Sequence, residues 1–64
     1  MKNAIRELRA ALRWTQEDLG DRVGVSRQAI IAIENGKFDP SLPLALRLSR
    51  VLQRPVDELF FLEE

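Results

Sequence analysis

The sequence predicts an all-α domain built of five short helices. Three observations carry that expectation. The chain has 64 residues, room for one domain and no more. Its apolar side chains recur at the three- and four-residue spacing that gathers them on one face of a helix. Three hydroxyl residues, Thr15, Ser26 and Ser41, stand just ahead of those runs, where N-caps belong.

The first helix is expected over roughly Asn3–Leu12, with Ile5, Leu8 and Leu12 inward and Lys2, Arg6, Arg9 and Arg13 on its other sides. The second opens at Thr15. Gln16, Glu17 and Asp18 make its first turn polar and acidic, as the helix dipole favours, and Asp18 stands where a capping-box acid would. Leu19 and Val23 give its inner face, and Gly24 ends it. Ser26 then caps a third helix almost at once. So short a link suits two helices that cross steeply, as in a helix-turn-helix, here over residues 16–35.

Asn35 and Gly36 stop the third helix. Pro40 then keeps Asp39 out of helical conformation, and Ser41 caps the fourth helix, "SLPLALRLSRVL", with Pro43 tolerated in its first turn. This helix is apolar nearly all round, which predicts burial on two sides. Leu42, Ala45, Leu48 and Leu52 are expected to face one way, with Leu44 and Val51 to the side. The fifth, "PVDELF", opens with Pro55 at a position suited to N1. Repeats, low-complexity segments and linkers are absent, so residues 1–64 are read as one domain.

Composition narrows the function. There is no Cys and no His, so neither a disulfide nor a thiolate metal site is available, and no metal or cofactor is expected. So small a domain is marginally stable without dense packing or oligomerisation. No apolar run approaches the ~18–20 residues of a membrane span. The start, "MKNAIRELRAAL", lacks the apolar centre of a signal peptide. A soluble, cytoplasmic protein is expected. Catalysis is not: Tyr is missing too, and Glu17 and Asp21, four apart, read as a solvated helix face rather than paired catalytic acids. Net charge is zero but uneven. Residues 1–56 carry ten basic and six acidic side chains, and residues 57–64 carry four acids. The acidic tail hides a basic remainder from the net count.

The third helix carries the functional signal. Ala29, Ile30 and Ile33 can pack inward, whereas Gln28, Ile31, Ala32 and Asn35 form an outer stripe with Arg27 beside it. The stripe mixes donors, acceptors and apolar tips and holds no acid. DNA base edges are read by such a mixture: Arg with guanine, Gln with adenine, small apolar groups with thymine methyls. Packing of Ile31 against a neighbouring helix or a second protomer accounts for its position equally well.

The stretch "TQEDLGDRVGVSRQAIIAIENGKFDPSLPLALRLSR" resembles the Cro/phage-repressor (Xre) type of helix-turn-helix. Gln16, Leu19, Gly20, Val23, Gly24, Val25, Ile30 and Ile33 fall at that family's spacing. "SRQ", "IENGK" before an aromatic residue, and "DPS" are typical of its small stand-alone members, and the likeness continues into "VDELFF". The resemblance implies a lambda-repressor-like fold that binds double-stranded DNA. It implies that Arg27, Gln28, Ile31 and Ala32 face the major groove, and that Gln16, Ser26, Asn35 and Lys37 meet phosphates. In the same reading Gln16 also braces the base-reading side chains, and Arg9 and Glu34 form a partly buried ion pair. Three departures stand out: Ile31 where many relatives carry Asn, Arg13-Trp14 for Gly-Leu, and Gly20 for a common Ala.

The consecutive Phe60, Phe61 and Leu62 cannot all enter one small core. With Leu44 they are expected to form a two-fold interface within a segment of roughly 44–64. A dimer of this kind implies a palindromic operator with half-sites about 34 Å apart. The function expected is transcriptional regulation, most simply repression, with no small-molecule ligand and no separate sensing domain. Some members of the family act instead as antitoxins or as partners of other proteins. A protein-interaction module is therefore the alternative.

Overall fold

Side-chain caps start three of the five helices. In the computed structural model, which describes residues 1–63, the Thr15 hydroxyl accepts from the Asp18 N–H at 2.9 Å while the Asp18 carboxylate accepts from the Thr15 N–H at 2.9 Å. This reciprocal box opens α2 (Gln16–Val23). The Ser26 hydroxyl accepts from the Ala29 N–H at 3.2 Å and opens α3 (Arg27–Glu34). The Ser41 hydroxyl accepts from the Leu44 N–H at 3.3 Å and opens α4 (Leu42–Leu52). α1 (Ile5–Ala11) starts later than the spacing suggests, because Asn3 is extended and its side-chain oxygen accepts from the Ile5 N–H at 3.2 Å. α5 (Val56–Leu59) is a single turn for which Pro55 serves as N-cap rather than N1.

The chain then departs from the helical reading. Phe60 and Phe61 extend as β2 and pair antiparallel with β1 (Lys2–Asn3), Asn3 opposite Phe60 and Lys2 opposite Phe61. The Ala4 N–H continues the ladder by donating to the Leu59 carbonyl at 2.9 Å. Strands this short cannot display an alternating pattern, so periodicity could not reveal them.

Ile5, Leu19, Val23, Ile30, Ile33, Leu44, Leu48, Leu52 and Leu59 form the core, with Leu8, Trp14, Val25, Val51 and Phe60 packed against it. Trp14 packs against this core, and the Arg22 guanidinium lies over its ring, 4.0 Å from the centroid. α4 corrects the sequence reading. Leu44 is 4% exposed, a core residue rather than part of a dimer face, and Leu42 is 69% exposed rather than inward. At about 100° per residue, Leu44, Ala45, Leu48 and Leu52 centre the buried arc, and Leu42 falls about 60° beyond its edge. Leu46 is exposed as well, so α4 is covered on one side only.

The α2–α3 turn is tight because of Gly20. A Cβ at that position would lie 2.7 Å from the Val25 carbonyl oxygen, closer than carbon and oxygen tolerate. Gly24, at φ 79°, turns the chain beyond α2, and the Val25 N–H donates back to the Gly20 carbonyl at 3.0 Å. Among the described residues no helix is long and apolar enough to cross a membrane.

Candidate nucleic-acid interface

α3 is held by its apolar side. Ile30 and Ile33 are fully buried, Ala29 is half-buried, and Arg27 and Gln28 project into solvent from the first turn. Ile31 and Ala32 are half-buried one turn on, and Asn35 ends the helix as its C-cap. Lys37 is exposed in the loop beyond. The predicted stripe is therefore a real surface, polar at the rim and apolar towards Ile31.

Glu34, the one acid on α3, turns away from that surface. Its side chain has no solvent exposure. Arg9 meets it with one edge of the guanidinium, Nε to Oε2 at 2.7 Å and Nη2 to Oε1 at 3.3 Å. The Gln16 Nε2 donates to Oε1 at 3.0 Å, and Arg6 Nε approaches the same oxygen at 3.5 Å. Arg9 Nη1 also donates to the Trp14 carbonyl at 2.8 Å, which ties the α1–α2 link to the same cluster. Burial pushes the Glu34 carboxyl pKa up. Hydrogen bonds from Arg9, Gln16 and Arg6, with the charge of Arg9, outweigh burial and hold it below its ordinary value. The expected Arg9–Glu34 pair is present, and Gln16 joins it through Glu34.

An open cleft lies where α1 meets the first turns of α2 and α3. Arg6, Arg9, Thr15, Gln16, Glu17 and Arg27 line it. Three of these six are arginines, and N–H groups at the start of α2 carry the positive end of its dipole. Arg6 and Arg9 are already paired with Glu34, and Glu17 adds a negative charge, so the charges of the cleft are mixed. Ser26, also expected at a phosphate, holds the start of α3 with its hydroxyl.

Two residues that sequence reasoning left unassigned belong to this region. Arg6 lies three positions before Arg9, on the same side of α1, and that spacing was the available signal. Its Nη2 donates to Asn35 Oδ1 at 3.2 Å. Asn3 joins three elements: its backbone lies in β1, its side-chain oxygen accepts from the Ile5 N–H at the start of α1, and its Nδ2 donates to the Ile33 carbonyl at 2.8 Å. No local pattern announces that role.

The residues expected at a dimer interface divide. Phe60 is half-buried against the core, whereas Phe61 is 42% and Leu62 75% exposed. Phe61 shares a shallow hollow with Lys2, Asn35 and Gly36, so the ribbon lies beside the end of α3.

A helix-turn-helix family model matches residues 5–59. The HTH-type transcriptional regulator YgzD of Bacillus subtilis is 47% identical over 64 residues, covering 100% of this chain and 97% of that one. A regulator of the same type from Methanothermobacter thermautotrophicus is 51% identical over 65 residues, covering 100% and 94%. The P22 c2 repressor, solved with a synthetic operator, superposes with a TM-score of 0.81 at 40% identity, over 83% of this chain and 80% of that one. The restriction-modification controller protein C.AhdI of Aeromonas hydrophila gives 0.79 at 36% identity, over 88% and 85%. With the fold, the turn and the length of the match all in agreement, this chain belongs to the Xre/Cro-type helix-turn-helix family.

Proposed function

We propose that this helix-turn-helix regulator is a sequence-specific repressor that lays α3 in the major groove of a palindromic operator and binds as a homodimer. One observation carries the reading: the outward face of α3 is free of acid because Glu34 is withdrawn, paired with Arg6 and Arg9 and hydrogen-bonded by Gln16. An exposed carboxylate there would repel the phosphates on either side of the groove. Arg27, Gln28, Ile31 and Ala32 are the base-reading set, and Gln16, Ser26, Asn35 and Lys37 meet the backbone. The P22 c2 repressor, solved on operator DNA, supports the DNA partner.

The dimer is formed by the exposed Phe61 and Leu62 with the edge of Phe60. Because the ribbon adjoins the end of α3, a two-fold axis there holds two reading helices in fixed relation. Two weak half-site readers then act as one strong binder. Repression follows from occlusion of a promoter.

Anisotropy titrations at several salt concentrations test this, with duplex from the gene's own promoter and a scrambled control. Steeply salt-dependent binding that strongly prefers the promoter supports it. Equal, weak binding of both calls for selection from random DNA. No binding at low salt overturns it and turns Ile31 and its neighbours towards a protein partner. Within the reading, Arg27→Ala or Gln28→Ala costs about 1–3 kcal/mol and relaxes preference at one base pair.

A further inference from the structure

We propose that Arg6 is a positioning residue that sets the Asn35 side chain for a DNA phosphate; this rests on the DNA-reading role above. Arg6 uses one edge of its guanidinium, Nε and Nη2, to reach the last residue of α3 and its C-cap. Nε approaches Glu34 Oε1 at 3.5 Å and Nη2 donates to Asn35 Oδ1 at 3.2 Å. The Glu34 end is a fixed anchor, since Arg9 and Gln16 already hold that carboxylate. The Asn35 end is exposed and movable.

The chemistry decides the amide's orientation. A guanidinium N–H can be met only by the amide oxygen, because the amide nitrogen would set donor against donor. With Oδ1 held by Arg6, the Nδ2 N–H donors of this exposed side chain are not used in that contact. Two donors on a fixed, neutral group suit an acceptor that the duplex supplies at regular intervals, a phosphate oxygen. Without Arg6 the amide rotates freely and meets the phosphate only part of the time.

Lysine is the informative replacement. It keeps the charge but has no planar edge with which to span two acceptors. Arg6 is 59% exposed, so the core survives the change, and thermal melting checks this. The probe is a duplex selected from a random pool by the wild-type protein, and the proteins are wild type, Arg6→Lys, Asn35→Ala and the double variant. Each single change is expected to weaken binding about three- to tenfold, as one hydrogen bond implies. The double variant should bind no worse than Asn35→Ala, and the salt slope of Arg6→Lys should match wild type. If Arg6→Lys binds like wild type, the guanidinium edge does not set Asn35, and if the two losses multiply, Arg6 touches phosphate on its own; either result overturns the proposal. Nitrogen-15 relaxation of the Asn35 side-chain amide in the free protein gives an answer independent of DNA. The amide should be ordered in wild type and loosened in Arg6→Lys, and equal mobility in both overturns the proposal. Failure of the wild-type protein to select any duplex would instead overturn the DNA reading itself.

Discussion

The joint around Glu34 and the ribbon at Phe61 are neighbours, yet they are finished to different degrees. At the joint, α1, α2 and α3 meet on one carboxylate that three side chains satisfy. Among the described residues no buried side-chain nitrogen or oxygen lacks a partner. At the ribbon, whose strands have two residues each, Phe61 within β2 and Leu62 just beyond it leave apolar surface in water. The joint is complete within one copy of the chain. The ribbon leaves something to be covered, and on the function proposed above a second copy covers it. A small domain can thus hold α3 with polar contacts and, on that same proposal, keep its apolar surplus for assembly.

The strongest way to break the contrast is Glu34→Ala. It strands the Arg9 guanidinium, whose side chain is only 14% exposed, beside a cavity. The expected loss is about 3 kcal/mol, read from a shift in denaturation midpoint. The pH dependence follows from the lowered carboxyl pKa. The unfolded chain holds the proton more tightly, so stability from this group is complete above the ordinary value near 4.5. It is lost as pH falls through the lower folded value. The stability gap between wild type and Glu34→Ala should therefore narrow in acid below that pH. A gap independent of pH would show that the ionised carboxylate contributes nothing.

Phe61→Glu tests the other side of the contrast. It places two charges across the proposed two-fold axis and should leave the monomer folded. The expected result is monomeric sedimentation at micromolar concentration. Affinity for a palindromic operator should fall about a hundredfold, with little change for random DNA. A wild-type protein that sediments only as monomer would remove the dimer claim outright.

These regions also mark what could be read from residues alone. Caps at Thr15, Ser26 and Ser41, and turns at Gly24 and Asn35-Gly36, are local chemistry, and the helices begin and end close to where those residues put them. The outward stripe of α3 was legible from helical spacing and the family resemblance together, whereas the Arg9–Glu34 pair came from the resemblance alone. Arg6 shared that spacing with Arg9, but its contact with Asn35 exists only after three helices are assembled. The ribbon pairs residues from opposite ends of the chain, which no window along the sequence contains. On α4, nearly every residue is apolar, so periodicity lost its contrast, and Leu42 and Leu44 exchanged places between expectation and structure.

Gly20 tests the tightness of the joint from its far side. Alanine is the better helix former by about 1 kcal/mol and is common at this place in the family. Here its methyl would press on the Val25 carbonyl oxygen at 2.7 Å, and backbone cannot rotate aside as a flexible side chain can. Gly20→Ala should therefore lose about 1–2 kcal/mol despite the better propensity. Stabilisation instead would mean that the α2–α3 turn relaxes easily, and that the reading helix is less firmly set than the contacts around Glu34 imply.

The smallest effect comes from the same contrast repeated at the helix ends. Gly24 and Gly36 take up positive φ without steric cost, while Arg13 and Gln53 do so at φ 60° and 57°. Arg13 follows α1 in a closed hydrogen-bonded end: its N–H donates to the Ala10 carbonyl at 2.9 Å, and the Trp14 N–H to the Arg9 carbonyl at 3.2 Å. Left-handed backbone costs a side-chain-bearing residue about 1–2 kcal/mol, and glycine avoids it while giving up some unfolded-state entropy. Among the described residues the Arg13 side chain makes no hydrogen bond or ion pair that glycine would forfeit. Arg13→Gly should thus raise stability by about 0.5–1 kcal/mol in a melting experiment. If stability rises and DNA affinity falls with a salt slope lower by about one, the strain is retained because Arg13 adds a phosphate contact at the basic end of α1. If affinity is unchanged, the left-handed arginine is a cost that the chain carries without return.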